Sequence, residues 1–500
     1  MTFLSLSYTL FLPLVVAAFW LAPTRLWRLS VLLIVSLVFY GLHEPIDITL
    51  LLAGVLINFW LGLAIGGVPS LQVRNLLHPQ RDGRRQQQRK KLLTIGVVFN
   101  ILLLFGFKYV PFVLNTLGWG FQEPALFDIA GWVTRYIAAP LGLSFFAFEC
   151  IAYLVDVFRG APPAEDFIEF ATYKLFFPKL LSGPIVRYQT LASKLKNIAQ
   201  QRFLNSAQLS EGLWLIACGA IKKGIVADSL AIGVNLAFNN LERAGSGDIW
   251  LATVAYGLQL YLDFSGYVDI ARGSALLLGF ELPMNFDFPY LSNSLADFWR
   301  RWHMTLGAWL RNYLYFPLGG SRLGLWRTCL NLCIVMLLGG LWHGAAWGFI
   351  VWGGIHGLGL ALHRCTENLS QRLPQLQKFW KSPPGWLLGW SLTQATVFFS
   401  WIFFRLPDLN QSGRAIAHFF NHPADPQFVT LVYQETLGLD RSQIVWLLLG
   451  IVGVMVLNYG IEKGLRLKLN WPIKLALAPT CLLAVWILAP EGVPFIYFNF

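Results

Sequence analysis

Apolar residues run in long blocks along this chain, and short polar clusters separate them. Residues 3–23, 29–42, 48–69 and 92–118 carry almost no charge. A helix that crosses a bilayer needs about 20 mainly apolar residues, so each block predicts a span. The links between them alternate in sign. Arg25 and Arg28 follow the first block, and the acidic "HEPID" follows the second. The strongly basic "RNLLHPQRDGRRQQQRKK" (74–91) follows the third, and "FQEPALFD", with acids only, follows the fourth. Basic links stay in the cytoplasm, which predicts an N-terminus outside. The first block has no basic leader and no small-residue cleavage site, so it is expected as a retained span.

Beyond residue 134 the pattern loosens. Spans are expected near 134–157, 210–238, 249–280, 325–363, 385–405, 443–461 and 472–490. Two long stretches, 160–205 and 281–322, mix prolines, aromatics and charges. Such segments belong at the interface or partway into the membrane, and survive there only if protein buries them or they line a cavity. Lys222 and Lys223 interrupt the 210–238 block; snorkelling to an interface explains them most simply. No internal repeat is visible. The expected fold is all-α and polytopic, since lipid obliges every backbone polar group to find its partner within the protein.

Composition agrees. Of 500 residues, 56% are hydrophobic, 15% aromatic and 13% charged, against about 45–50% apolar and about 25% charged in soluble domains. The net charge of +12 would suggest nucleic acid in a soluble protein. Here it follows the positive-inside pattern, so no nucleic-acid role is expected. The six cysteines are scattered. Cys329 and Cys333 share a helical face with no further ligand nearby, which reads as packing and not as a metal site.

The chemistry narrows to histidine. No Gly-x-Ser-x-Gly elbow, phosphate-cradling Gly loop or His-Glu-x-x-His motif occurs. Of eight histidines, His43, His78, His418 and His422 lie in polar stretches and are expected to be solvated, while His363 ends a span. His343 stands in "GGLWHGAAWG", the middle of an apolar run. An ionisable ring there is costly and marks a functional candidate; a core histidine with one hydrogen bond is the plain alternative. His303 lies in "DFWRRWHMTLGAWLRNY". A continuous helix would put Trp299, His303, Leu306 and Leu310 on one face, with Arg300, Arg301 and Arg311 around it, as an interfacial helix would have it. His356 follows His343 by thirteen residues and could share one helix with it; a packing role is expected. "YLDFSGYVDIARG" carries Asp263 and Ser265, and an Asp269–Arg272 pair at helical spacing. Asn285 and Asp287 sit among helix-breaking prolines.

Together these segments resemble the membrane-bound O-acyltransferase family, within it the bacterial branch that holds the alginate O-acetylation membrane protein. The resemblance rests on residues 260–322, from "LYLDFSGYVDIARG" through "FWRRWHMTLGAWLRNYLYFPLGGSR". "LLGGLWHGAAWGFIVWGGIHG" (337–357), "SWIFFRLPDL" (400–409), "FPKLLSGPIVRY" (177–188) and the terminal "PFIYFNF" carry it further. The motifs occur in order, in one integral-membrane domain over 1–500 with a family core at about 90–409 and C-terminal spans at 443–490.

The resemblance implies a ring of tilted helices around a membrane tunnel. It implies an O-acyltransferase in the bacterial inner membrane, taking acetyl from a cytoplasmic donor, acetyl-CoA, for an exported cell-surface polysaccharide. An extracytoplasmic acetyltransferase partner would relay the group. His343 maps onto the family's near-invariant histidine, and His303 onto a second one important in many members. Acyl transfer to a hydroxyl needs a base near neutral pKa, which imidazole supplies. His303, Trp342 or backbone N–H groups around the glycines could donate to a developing oxyanion, His303 could instead orient the donor, and Arg300 and Arg301 could attract donor phosphates. Asn285 and Asp287 complete the candidate substrate-binding set. No metal or bound prosthetic group is implied. Two other readings compete. A D-alanyl transfer protein of the teichoic-acid type stays within the family. A proton-coupled transporter would need charged pairs on several spans and repeat symmetry.

Overall fold

The computed structural model describes residues 3–67, 79–201, 203–467, 469–490 and 495–496, and every regular element among them is helical. His78 and most of "PFIYFNF" lie outside the described residues. The chain forms two compact units, one of residues 1–216 with 270–283, the other of 217–269 with 284–500. Among the described residues, six helices are long and apolar enough to cross a membrane: Ile48–Gly67, Gly83–Phe121, Gly324–His343, Pro383–Arg405, Arg441–Leu465 and Trp471–Leu488.

The first unit begins with α1 (Leu6–Leu21), α2 (Arg25–Gly41) and α3 (Ile48–Gly67). Next come α4 (Pro79–Leu104) and α5 (Val110–Phe121), joined through one π-helical turn. The basic run is thus largely the start of a helix and not a loop: Arg89 spends its donors on the carbonyls of Ile65, Val157 and Phe158. Asn58 and Asn100 bond reciprocally between α3 and α4, at 2.8 and 3.3 Å, and so satisfy two buried amides in apolar surroundings. After α6 (Pro124–Tyr136) and α7 (Leu143–Phe158), the mixed stretch forms α8 (Phe167–Leu175), α9 (Phe177–Leu180), α10 (Tyr188–Lys196) and the start of α11 (Ser206–Ala220).

Much of that stretch is buried, Lys174 and Lys179 included. Glu149 on α7 accepts from Lys174 at 3.1 Å, from Lys179 at 2.6 Å and from the Val186 N–H at 3.1 Å. Lys174 also donates to the Phe146 carbonyl and sits 4.3 Å from the centroid of its ring. One carboxylate thus gathers two ammonium groups that the apolar interior would otherwise reject.

In the second unit, α11 passes through a π-helical segment (Ile221–Ala227) into α12 (Asp228–Phe238). Then comes α13 (Ser246–Leu277), whose residues up to 269 belong here. Lys223 does not snorkel. It is buried between Asp228 and Asp263, the latter at 2.8 Å, and Lys222 pairs with Asp269. Sequence spacing offered Arg272 as the partner of Asp269; tertiary packing supplies Lys222. Buried charged pairs therefore do occur on several helices.

After α14 (Leu295–Arg301) and α15 (Met304–Leu310) come α16 (Gly324–His343) and α17 (Trp347–Arg372). The 325–363 block is thus a hairpin and not one span. Gly344 is extended, with φ −164° and ψ 152°, and ends α16. The two helices touch backbone to backbone. A Cβ on Gly340 would lie 2.1 Å from the Phe349 carbonyl oxygen, and one on Gly353 2.4 Å from that of Met336. The chain continues through α18 (Pro374–Lys381), α19 (Pro383–Arg405), α20 (Leu409–Ala417) and α21 (Pro426–Val429) to α22 (Arg441–Tyr459) and α23 (Trp471–Leu488).

Candidate active site

His343 is the last residue of α16, and its ring is enclosed by aromatics of the second unit. Trp342 lies 4.9 Å away centroid to centroid, Phe404 of α19 5.0 Å and Trp352 of α17 5.2 Å, all edge to face. Only 3% of the residue is exposed. The hairpin glycines make this possible, since closely packed backbones carry a histidine into the interior. At Gly344 an added Cβ would fall 2.0 Å from the Phe349 ring.

His303 does not continue a helix. It lies between α14 and α15 with φ 42° and ψ 55°, in the left-handed region. A non-glycine residue there costs about 1–3 kcal/mol and persists only where its surroundings over-determine it. The surroundings here are specific. Asn285 accepts from the Met304 N–H through its carbonyl, and through Oδ1 from the Thr305 N–H and hydroxyl. The His303 carbonyl accepts from the Gly307 N–H. The turn directs the fully buried ring onto Phe264 at 4.9 Å and toward Trp342 at 6.1 Å. Trp342 thus contacts both histidine rings.

His356 belongs to a different set. Trp299 Nε1–H, which can only donate, reaches His356 Nδ1 at 3.3 Å. Nε2 therefore carries the hydrogen and donates to the Ser400 hydroxyl at 2.9 Å, which in turn donates to the Val397 carbonyl. Both ring nitrogens are engaged, and Trp352 packs 4.9 Å away. This is the packing role the sequence suggested, although on a separate helix from His343. Trp299 faces His356, so the expected shared face with His303 does not form.

The remaining candidates separate. Asn285 is buried and serves as the clip just described. Asp287 pairs with Lys463 at 3.0 Å. Arg301 pairs with Asp297 at 3.0 Å, and Arg300, 68% exposed, lies 3.7 Å from the same carboxylate. His418 and His422, expected in solvent, are half-buried and stack at 3.6 Å, with His418 Nδ1 3.0 Å from the Leu241 carbonyl. Sequence reasoning missed Phe264, Trp352, Ser400 and Phe404. It also missed that Asp263 accepts from the Ile496 N–H at 3.0 Å while Phe495 stacks on Tyr267 at 4.2 Å. Asp263 and Tyr267, four apart on α13, did signal a shared face.

Comparison with known proteins agrees with this architecture. Residues 162–401, which include the buried His303, His343 and His356, match the membrane-bound O-acyltransferase family. The probable alginate O-acetylase of Azotobacter vinelandii is 37% identical over 91% of this chain and 83% of its own length. The peptidoglycan O-acetyltransferase of Helicobacter pylori is 31% identical over 78% of this chain and 73% of its own. The teichoic acid D-alanyltransferase of Streptococcus thermophilus is 27% identical over 53% of this chain and 68% of its own. This multi-pass helical chain therefore belongs to the membrane-bound O-acyltransferase family and is an O-acyltransferase.

Proposed function

We propose that this protein takes acetyl from acetyl-CoA on the cytoplasmic side of the bacterial inner membrane and passes it outward for O-acetylation of an exported polysaccharide. Its N-terminus lies outside, and an extracytoplasmic acetyltransferase receives the acetyl group. The observation that carries the reading is the pair of buried histidine rings meeting Trp342 from two elements. Each is held where an unused imidazole would be costly.

In this reading the acceptor oxygen attacks the thioester carbonyl as His343 takes its proton. The carbonyl oxygen gathers charge in the tetrahedral intermediate, and Trp342 Nε1–H or His303 stabilises it. The C–S bond then breaks, the carbonyl re-forms, and the imidazolium returns its proton to the departing thiolate. Such base catalysis contributes about 10²–10⁴ in rate. The exposed Arg300 guanidinium suits a donor phosphate.

The D-alanyl reading draws on the teichoic acid relative, which matches less of this chain and less closely. The transporter reading gains from the buried pairs around Lys179 and Lys223, but the relatives' names favour transfer. Cells carrying His343→Ala as their only copy test the proposal. Exported polymer should persist and release no acetate on mild base treatment. Loss of export would favour transport instead.

A further inference from the structure

We propose that the second unit holds a zwitterionic phospholipid, phosphatidylethanolamine, in a groove behind α22. Two cavities meet there. One, of about 480 Å³, is mainly apolar, with walls that include Ala237, Ala252, Phe428, Leu437, Leu447 and Ile451, and Asp248 also lines it. The other, of about 490 Å³, is lined by Gln434, Asp440, Arg441 and Ser442. Tyr433 and Leu439 line both. Both volumes fall within the range of about 300–1,000 Å³ typical of ligand sites. Charged and polar side chains beside an apolar groove are the arrangement an amphiphile needs.

The depth selects the amphiphile. Arg441 begins a span that is only 6% buried, so α22 faces lipid. Trp446, 72% exposed, stands near that end, as interfacial tryptophans do. From Arg441 to Ile451 the helix rises about 15 Å at about 1.5 Å per residue. Half of a hydrocarbon core about 30 Å thick is about 15 Å, so the apolar groove runs the depth of one leaflet.

The mouth is fixed. Asp248 is buried and accepts from the Tyr433 hydroxyl at 2.5 Å, from Arg441 Nε at 2.8 Å and Nη2 at 3.0 Å, and from the Gly245 N–H at 2.8 Å. That uses two of the five Arg441 donors, and the planar guanidinium suits a phosphate. The Asp440 carboxylate beside it suits an ammonium and disfavours a headgroup of net negative charge. A headgroup with both charges fits this rim.

Native mass spectrometry of the full chain in mild detergent, offered equal phosphatidylethanolamine and phosphatidylglycerol, tests the site. The native protein should retain one phosphatidylethanolamine in preference to phosphatidylglycerol. Gly233→Phe projects into the apolar cavity, because an added Cβ at Gly233 meets only Leu437, at 3.6 Å. Retention in that variant should fall about tenfold. Gly450→Phe, where an added Cβ meets nothing within 4 Å, should retain lipid as the native chain does. Equal retention by Gly233→Phe and native protein would overturn the proposal, as would a preference for phosphatidylglycerol.

Discussion

Asn285 Oδ1 accepts both the backbone N–H and the hydroxyl of Thr305, at 3.0 and 2.7 Å, and so fixes the turn that carries His303. The residue expected in the substrate-binding set thus also holds the turn of a histidine in place. Asn285→Ala removes an acceptor that serves two buried donors, at about 1–3 kcal/mol. We expect a lower melting temperature together with a fall in acetyl transfer, and Asn285→Asp to recover more of both than Ala. Thermal unfolding and turnover measured on the same preparations check this.

The hairpin that delivers His343 depends on two glycines in close backbone contact. Gly340→Ala and Gly353→Ala would each force a Cβ to within 2.4 Å of a carbonyl oxygen. Neighbouring Gly354 meets nothing nearer than 3.8 Å. The first two substitutions should abolish monodisperse protein, and Gly354→Ala should stabilise the helix by up to about 1 kcal/mol. Yield and size-exclusion profile decide it.

Glu149 serves two buried lysines and one backbone N–H. Glu149→Gln strips both ammonium groups of their counter-charge, and breaking a buried pair in this way costs about 3–5 kcal/mol. Lys179→Met leaves the Lys174–Glu149 pair intact and should cost much less. Unfolding midpoints in denaturant check the order.

His356 and His343 should part company. With both nitrogens engaged, His356 holds Trp299 and Ser400 in the core. His356→Ala should lower stability by about 2–5 kcal/mol, as large-to-small core changes do, while the folded fraction keeps most of its turnover. Activity normalised to folded protein separates the two effects.

The isolated apolar blocks were legible because hydropathy and length suffice for a span: α3, α19, α22 and α23 lie where the pattern put them. The hairpin at 344–346 was hidden, since Gly344, Ala345 and Ala346 carry no charge and no proline. Its length was the available clue. Residues 325–363 as one helix would run to nearly 60 Å at about 1.5 Å per residue, about twice the hydrocarbon core. The turn at His303 left no such trace, because Asn285, which holds it, lies eighteen positions earlier in a segment without regular structure. The partners of Lys222 and Lys223 sit largely on α13 and were likewise out of reach of local spacing. His343 itself was readable, since one titratable ring in an apolar run has few other reasons to be there.

His343 is proposed as the base for transfer from acetyl-CoA. The most direct test follows release of label from acetyl-CoA, labelled in the acetyl group, by purified native protein and by His343→Ala with an unchanged size-exclusion profile. The rate is expected to be lower by about 10²–10⁴ in the variant. Equal rates for the two proteins would contradict it.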